Sequence, residues 1–474
     1  MLILYLSFLF SLFFKINSIG MTEKDVVFLT LKNNNSIRIS QIGLIDDSLS
    51  LESVKTGQYP TMDIEVGQTI TPLDSSGGLT DTYKRKLLST DAKFTVKQKI
   101  PGGGIVSGSL SGSYGKEIKS DTNSFSSSVE MSYSQPLLRN AWSNGSQDFL
   151  ITIQQINNIN FSLEQKKSVL SILSKARNIY WSTYEKIVLC KIFADRKEYA
   201  EKHLVSQRIR YSVGNATVID TLSARLDYLE SIGLHIKAQA DLASMMRDLS
   251  LLFKVSIDSL NIDTTQVIVF SDLPDSPAFI AMVEKFDPKL KIFELIQKKI
   301  TIQARQNRNQ LLPDLRFHLG YNRKVSGNNV IEDFITFKSN AVISLVSKYT
   351  FPIRSNKIEL QKTLLSEQKN KLDQEQYKKE LAQKVDELLM SWSAELQSLE
   401  ITRASLDIAE KQFKAAKAGF NVGTVDQLTL DKAETEFVQK KINLLQQQIV
   451  MKKLEIIFDE ITGTILKKFG VKFE

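Results

Sequence analysis

Four segments of the chain alternate apolar and polar residues, which is the pattern of a strand whose two faces meet different surroundings. They are residues 58–70, 124–136, 313–323 and 340–352. Each has about 10 or more residues, enough for a tilted strand that crosses a membrane. A proline stands at one end of each segment, where its missing N–H leaves no ladder hydrogen bond unmade. These prolines are Pro60, Pro136, Pro313 and Pro352.

Two much longer stretches, residues 146–211 and 355–420, contain no proline. As helices at 1.5 Å per residue, each would be roughly 100 Å long, far beyond an ordinary globular helix. The stretches that follow them have apolar residues at alternating spacings of four and three, which is coiled-coil spacing. The pattern predicts two antiparallel helical hairpins, over 146–254 and 355–466, that pack side by side in a larger assembly.

The two halves of the chain repeat one another. Ala200-Glu201-Lys202 returns as Ala409-Glu410-Lys411, and Val213-Gly214 returns as Val422-Gly423, each 209 positions later. A period this long indicates a duplicated half-domain and not a solenoid. Each half would contain a helix, two strands and one hairpin that turns at Val-Gly. The predicted organisation is a first repeat at 21–260, a linker at 261–285, a second repeat at 286–466 and a tail at 467–474.

Residues 91–100 and 105–115 also alternate, on either side of Pro101-Gly102-Gly103-Gly104. Two interpretations stay open: an extra hairpin within the first inter-strand loop, or an extension of the predicted strands. No Gly-Lys-Ser/Thr follows the glycines, so a phosphate-binding loop is disfavoured. A glycine turn between two strands is the expected structure.

Residues 1–20 predict a cleaved signal peptide. An apolar stretch of about 14 residues leads to Ser18-Ile19-Gly20, where small residues suit signal peptidase. The apolar stretch has no positive charge before it, and the alternatives are an uncleaved anchor or a start at Met21. No later apolar run is long enough for a membrane-spanning helix. The single cysteine, Cys190, excludes an intrachain disulfide and a lipid at the cleavage site, and a buried, inert thiol is expected.

The net charge of +8 does not indicate a nucleic-acid-binding protein. Such a protein would have basic clusters interleaved with aromatic residues, whereas Lys and Glu alternate here along predicted helices, as on solvated helix faces. His203, His235 and His318 are scattered, without the spacing of metal ligands, and no nucleophile signature is present. The sequence therefore predicts a protein that is not an enzyme and has no cofactor or metal.

The order of strand, proline, long helix and Val-Gly tip, occurring twice, resembles the TolC family of bacterial outer-membrane efflux channels. The residues that carry the resemblance are SQPLLRN at 134–140 and the tips RYSVGNATVIDTLSARLDY at 210–228 and GFNVGTVDQLTLDKAE at 419–434. The resemblance covers about residues 22–465. It implies a mixed fold, in which three chains each give four strands to one membrane β-barrel that continues into a periplasmic α-barrel of coiled-coil hairpins.

The resemblance further implies a homotrimeric outer-membrane channel with its helical part in the periplasm. Such a channel would be the passive exit duct of a tripartite efflux or type I secretion system. Its partners would be a periplasmic adaptor (membrane fusion protein), an inner-membrane pump of the resistance-nodulation-division or ABC type, and outer-membrane lipid. The alternative from another class is a soluble coiled-coil structural or adaptor protein.

By the same resemblance, the hairpin tips dock to the adaptor, although a plain helix–helix turn is the alternative. Candidate contact residues are Tyr211, Ser212, Val213 and Gly214 on the first tip, and Phe420, Asn421, Val422 and Gly423 on the second.

The resemblance also predicts a periplasmic gate just beyond the tips, formed by Asp220, Asp426 and Arg225. In a trimer, one Asp per chain would form a ring of three carboxylates, and close like charges raise carboxyl pKa values and attract cations. The alternative is that each Asp is a helix N-terminal acid favoured by the macrodipole.

Overall fold

The computed structural model describes residues 20–74, 84–117, 123–142, 145–256, 261–264, 268–270, 276–327, 338–351 and 353–470. Nearly all of the predicted signal peptide and Pro352 lie outside the described residues. The helices are α1 (Glu23–Asn33), α2 (Asn35–Thr56), α3 (Ser146–Ser212), α4 (Val218–Phe253), α5 (Ser276–Phe286), α6 (Pro288–Asn309), α7 (Arg354–Asn421), α8 (Gln427–Thr462) and α9 (Thr464–Lys468). The strands are β1 (Thr61–Asp74), β2 (Lys84–Lys99), β3 (Ile105–Glu117), β4 (Asn123–Pro136), β5 (Asp314–Gly327) and β6 (Lys338–Lys348).

The six strands form one antiparallel sheet in sequence order, from β1 to β6. The four predicted strands correspond to β1, β4, β5 and β6, with ends displaced by four residues at most. The expectation of four strands per chain is wrong, however. β2 pairs with β1 from Lys97 opposite Thr61, and β3 pairs with β4 from Ser134 opposite Ile105. The first inter-strand loop therefore contains an extra hairpin, whose backbone groups are all satisfied because it lies inside the sheet.

The extra hairpin turns at the glycine run, as predicted. Ile100 donates its N–H to the carbonyl of Gly104 at 2.9 Å, which closes the turn. Gly102 and Gly103 have φ values of +87° and +83°, a left-handed conformation that glycine adopts without the steric cost of a Cβ. An added Cβ at Gly103 would lie 2.3 Å from the carbonyl oxygen of Asn140, so no larger residue fits there.

The two faces of the sheet differ sharply in chemistry. In this chain one face exposes large apolar side chains from every strand: Met62, Ile64, Val66, Phe94, Val106, Leu110, Val129, Met131, Leu319, Tyr321, Ile343 and Leu345. The opposite face is rich in serine, and three pairs of serine hydroxyls on β3 and β4 are hydrogen-bonded across the strands at 2.6 Å. The alternation is weaker in β6, where Val342 and Val346 lie on the serine-rich face.

The helices include two of unusual length, α3 with 67 residues and α7 with 68. Each is followed by a 36-residue helix, α4 or α8, so both predicted hairpins consist of a long and a shorter helix. None of the helices in the described ranges is apolar over a stretch long enough to cross a membrane. Cys190 on α3 is half-buried and not fully buried, and this burial raises the pKa of its thiol, as expected of an unreactive cysteine.

The chain divides into two compact units, which do not coincide with the predicted repeats because each unit contains segments of both halves. One unit comprises residues 1–42, 164–290 and 376–474. Its apolar core includes Tyr180, Trp181, Leu249, Phe253, Ile449 and Ile456. The other unit comprises residues 43–163 and 291–375 and contains the sheet. In this unit Arg139 forms an ion pair with Asp314 at 3.3 Å, at the end of the sheet where β4 ends and β5 begins.

A buried guanidinium group joins three helices in the first unit. Arg177 on α3 is 1% exposed, and its Nε donates to Glu23 on α1 while its Nη1 donates to Asp459 on α8 at 2.7 Å. Asp459 also accepts a hydrogen bond from Lys468 on α9 at 3.2 Å. Phe469 covers the guanidinium plane, with 5.4 Å between the guanidinium carbon and the ring centroid. The network thereby holds α1 and α9 against the hairpin helices.

Replacement of Arg177 by Met is expected to destabilise the protein by about 3–5 kcal/mol, because it leaves the partly buried Glu23 without its cation and Asp459 with Lys468 alone. Denaturant unfolding of the purified chain would measure this change. The matched control is Lys411→Met, which removes an exposed ion pair with Asp407 and should have little effect. Equal effects of the two substitutions would show that the Arg177 network does not stabilise the fold.

Candidate functional site at the two hairpin tips

The two tips have the same backbone structure, because their duplicated Val-Gly residues end α3 and α7 in the same way. In the first tip Asn215 donates its N–H to the carbonyl of Arg210 at 2.8 Å, and Gly214 donates to Tyr211 at 3.0 Å. This pair of hydrogen bonds is a Schellman motif, which satisfies the last carbonyls of a helix. Gly214 has a φ of +80°, as the motif requires.

The second tip repeats this arrangement. Thr424 donates its N–H to Gly419 at 2.9 Å, Gly423 donates to Phe420 at 3.2 Å, and the φ of Gly423 is +82°. No atom lies within 4 Å of the position that a Cβ would take at Gly214 or at Gly423. Both glycines are therefore required by their backbone conformation and not by close packing.

Seven of the eight predicted docking residues are exposed at the tips, including Val213 at 65% and Val422 at 75%. The exception is Phe420, which is half-buried. The guanidinium carbon of Arg210 lies 4.3 Å from the centroid of the Phe420 ring. The rings of Phe420 and His203 are packed edge to face. Phe420 therefore holds the two hairpins together and presents little surface to a partner.

The predicted gate carboxylates are capping residues of the helices that follow the tips. Asp220 accepts hydrogen bonds from the backbone N–H of Thr217 at 2.8 Å and from its hydroxyl at 2.7 Å, in a capping box at the start of α4. Asp426 is itself the N-cap of α8 and accepts the N–H of Thr429 at 3.1 Å. The alternative reading of these residues as N-terminal helix acids thus describes their position within one chain.

These hydrogen bonds lower the pKa of both carboxyl groups. The backbone N–H of Thr217, followed by its hydroxyl, lowers the pKa of Asp220, and hydrogen bonds with Thr429 lower that of Asp426. Both groups are therefore anionic at neutral pH in the single chain. Arg225 is exposed on α4. Among the contacts of the described residues, none joins Asp220, Asp426 and Arg225 to one another.

A second group of polar residues lies just below the tips and was not predicted. It combines Arg196, Tyr199 and His203 on α3, Asp227 on α4, and Asp431 and Glu434 on α8, and we call it the sub-tip cluster. Glu434 stands in a row with Leu430 and Val438, spaced by four residues, and all three are buried. A carboxylate within an apolar row is the signal that could have revealed the cluster.

Aromatic residues surround the end of the sheet at which the predicted prolines lie. Pro60 and Pro313 immediately precede β1 and β5, and Pro136 ends β4. The exposed aromatic side chains at this end are Tyr59, Trp142, Tyr349 and Phe351. Across the described ranges, no group of three His, Cys, Asp or Glu side chains is arranged to hold a metal ion.

The comparison with known proteins identifies the second half of the chain. Residues 282–462 match the model of the family described as outer membrane efflux protein. The matched part of the chain runs from α5 through the second tip to the end of α8. No curated protein matches the sequence.

Solved outer-membrane channels have a fold similar to that of this chain. The structure of CusC is 14% identical, with a TM-score of 0.69, and the alignment covers 94% of this chain and 92% of CusC. The outer membrane protein VceC of Vibrio cholerae is 11% identical, with a TM-score of 0.67, and the alignment covers 93% of this chain and 96% of VceC. The CmeC outer membrane channel of Campylobacter jejuni is 11% identical, with a TM-score of 0.67, and the alignment covers 97% of this chain and 93% of CmeC. Identities this low show similarity of fold alone.

Alanine is expected to have opposite effects at two glycines of the first hairpin. Gly214→Ala should destabilise the tip by about 1–2 kcal/mol, because a Cβ disfavours the left-handed conformation. Gly233 lies within α4, is exposed and has nothing within 4 Å of a Cβ position, so Gly233→Ala should stabilise the helix by about 0.5–1 kcal/mol. Hydrogen exchange of the backbone amides in α3 and α4 would measure both effects, and a change of the same sign at both positions would contradict the assignment.

Proposed function

We propose that this protein is the outer-membrane exit duct of a tripartite efflux or type I secretion system, and a passive channel rather than an enzyme. The observation that carries the proposal is the combination, in one chain, of a sheet with an apolar and a serine-rich face and two long hairpins with matching tips. A sheet with one apolar and one serine-rich face is the pattern of a membrane barrel with a polar lumen. A soluble coiled-coil protein, the alternative, has no need of a sheet whose one face is largely apolar and exposed.

The free edges of the sheet support assembly with further copies of the chain. β1 and β6 are its outer strands, so each presents unpaired backbone groups on one side. Open strand edges are not tolerated in lipid, and a closed barrel removes them. In a homotrimer, β6 of each chain would pair with β1 of the next. With six strands per chain rather than four, this barrel would be wider than expected, since barrel diameter grows with strand number.

Exposed heptad rows on the hairpins support the same assembly. On α4 the row comprises Ile219, Leu222, Leu226, Leu229 and Ile236, each more than half exposed in the single chain. On α7 a second row comprises Met390, Ile401 and Ile408. Apolar rows of this spacing are seams for neighbouring helices. Packing of hairpins from three chains would bury these rows and form the periplasmic tube.

The ring of exposed aromatic residues supports a location in the outer membrane. Tyr59, Trp142, Tyr349 and Phe351 lie at one end of the apolar face, and aromatic girdles mark the membrane–water interface of barrels. The strand ends near Pro60, Pro136 and Pro313 would then lie at the periplasmic surface. We further propose that residues 1–20 direct export and that the mature N-terminus carries no lipid.

An arginine on the apolar face is expected to impair insertion, whereas an arginine on the serine-rich face is not. Leu110 lies near the middle of β3, opposite Phe94 and Val129. Leu110→Arg should destabilise the membrane-inserted protein by about 2–4 kcal/mol. Ser109→Arg is the matched control, because its neighbour across the strands is Glu130. The two variants would be compared by folding into lipid vesicles. Equal folding of both would exclude lipid as the surroundings of the apolar face.

The tips would form the inner end of the duct. Six matching tips from three chains would give an adaptor a docking surface with pseudo-sixfold symmetry. Tyr211, Ser212, Val213 and Gly214 would contribute from the first tip, and Asn421, Val422 and Gly423 from the second, with Phe420 supporting them from behind. Asp220 and Asp426 would form rings of carboxylates that attract cations, and Arg225 would belong to the links that keep the end closed. A pump of the resistance-nodulation-division or ABC type would supply the energy.

Asp426→Asn is expected to raise single-channel conductance and to weaken block by divalent cations about tenfold, because it removes the charge of the ring. Asparagine remains a good N-cap, so the start of α8 stays intact. Planar-bilayer recording would measure both quantities. The control is Asp407→Asn, a charge change at an exposed position on α7 away from the tips. Unchanged block by divalent cations in Asp426→Asn would exclude this residue from the gate.

A further inference from the structure

The sub-tip cluster contains a buried carboxyl group without a hydrogen bond. Glu434 lies about two turns inside α8, and 5% of its surface is exposed. Among the described residues, no side chain and no backbone N–H donates a hydrogen bond to it. Buried carboxylates are normally paired, because an uncompensated charge away from water is costly.

Charged and titratable side chains approach Glu434 from the helices around it. Arg196 and Tyr199 face it from α3, Asp227 from α4, and Asp431 lies one turn before it on α8. His203 on α3 opposes the rise that burial causes in the pKa of Asp431. The ammonium group of Lys417 on α7 lies 5.7 Å from the ring centroid of Tyr199. The cluster thus joins both hairpins just below their tips.

The other two carboxylates of the cluster have partners. Asp227 accepts a hydrogen bond from Arg196 at 3.2 Å, and Asp431 accepts one from Gln427 at 2.6 Å. Gln427 is itself hydrogen-bonded to Gln207 of α3 at 2.5 Å. The Nε of Arg196 is buried and makes no hydrogen bond, so the cation is not directed at Glu434. Arg196 is therefore hydrogen-bonded to Asp227 and His203 acts on Asp431, whereas Glu434 is the carboxyl group left without a hydrogen-bonded partner.

This arrangement favours the protonated form of Glu434. Burial raises its pKa to about 7, against the opposing effect of Arg196, and the charges of Asp227 and Asp431 add to the rise. Glu455, farther along α8, shows the contrast. Burial raises its pKa too, yet hydrogen bonds from Lys452 and Lys468 lower it to about 2. Two buried glutamates on one helix therefore differ in charge because only one has cationic partners.

We propose that Glu434 is a proton-binding site that controls how tightly α8 packs against α3 and α4 below the tips. With its proton, the side chain is a neutral group that a helix interface accepts. Without the proton, it is a largely buried anion beside two further carboxylates, and separation of the helices lets more water reach it. The inference concerns packing within one chain, and it goes beyond the proposed function by adding a response to pH.

The direction of the pH effect follows from proton binding in the two states. When the helices separate, the carboxyl group returns to its ordinary pKa of 4.5, whereas in the packed state the pKa is about 7. Between these values the packed state holds one more proton. Packing is therefore strongest below pH 4.5 and weakens as the pH rises to about 7, by up to about tenfold in the ratio of separated to packed helices per pH unit.

Hydrogen exchange of the full-length protein at several pH values tests this proposal. The amides of residues 193–207 and 427–440 report on opening of the interface, once their rates are divided by those of unstructured peptides at the same pH. Protection of both segments should fall by about 40-fold between pH 5 and pH 7 in the unmodified protein. Hydrogen exchange measures the opening of the helix interface, so the result does not depend on channel conductance or on the presence of a pump.

Two Glu→Gln substitutions on α8 distinguish the proposed site from a general effect of charge. Glu434→Gln keeps the size of the side chain and is always neutral, so the protection of both segments should no longer vary with pH. Glu436 lies two residues farther along α8 and is exposed, and Glu436→Gln should keep the full pH dependence. The proposal is overturned if Glu434→Gln retains the pH dependence or if Glu436→Gln loses it.

Two further variants test the surroundings without changing Glu434. Asp227→Asn removes a like charge and releases Arg196, so the transition should move to lower pH. An unchanged midpoint, or one at higher pH, would contradict the role assigned to the cluster. His203→Gln removes the histidine of the cluster, a residue type that can bind a proton in this pH range. Loss of the pH dependence in this variant would assign the proton site to His203 and not to Glu434.

Discussion

Burial of the Arg177 guanidinium constrains the arrangement of the helices in the first unit. A charge that is 1% exposed must be met by carboxylates, and these come from the two ends of the chain, Glu23 on α1 and Asp459 on α8. Because each carboxylate must reach the same group, α1, α3 and α8 can pack in few other ways. The apolar core around Tyr180 and Ile456 forms against the same helices.

The sub-tip cluster on α3, α4 and α8 differs from the Arg177 network in its balance of charges. Around Arg177 positive and negative groups are balanced, and Lys468 adds a second cation to Asp459. Around Glu434 two further carboxylates lie close, and the nearby Arg196 is hydrogen-bonded to one of them, Asp227. A balanced network stabilises one packing at all moderate pH values, whereas an unbalanced one makes the packing depend on bound protons. The packing of the helices is thus independent of moderate changes of pH near the chain ends, and it depends on proton binding near the tips, where a gate would have to move.

Local patterns predicted much of the fold because they act within one element. The period of two in β1, β4, β5 and β6 and the absence of proline from α3 and α7 predicted elements that the structure contains. The strand count was wrong because the alternation of residues 91–115 admitted two interpretations. What decided between them is the backbone pairing of β2 with β1 and of β3 with β4, a contact between segments that are distant in sequence.

The sequence by itself determined where the chain turns, since the tips at Gly214 and Gly423 need only glycine after a long helix and a capping residue before the next. Only the tertiary structure decided the chemistry below the tips. Asp227, Asp431 and Glu434 look alike in sequence, as acids on amphipathic helices. Their difference arises from their neighbours: packing brings Arg196 to Asp227, Gln427 of the same helix bonds Asp431, and no donor reaches Glu434. The charge of a buried group depends on its partners, and partners from other helices are set by the fold.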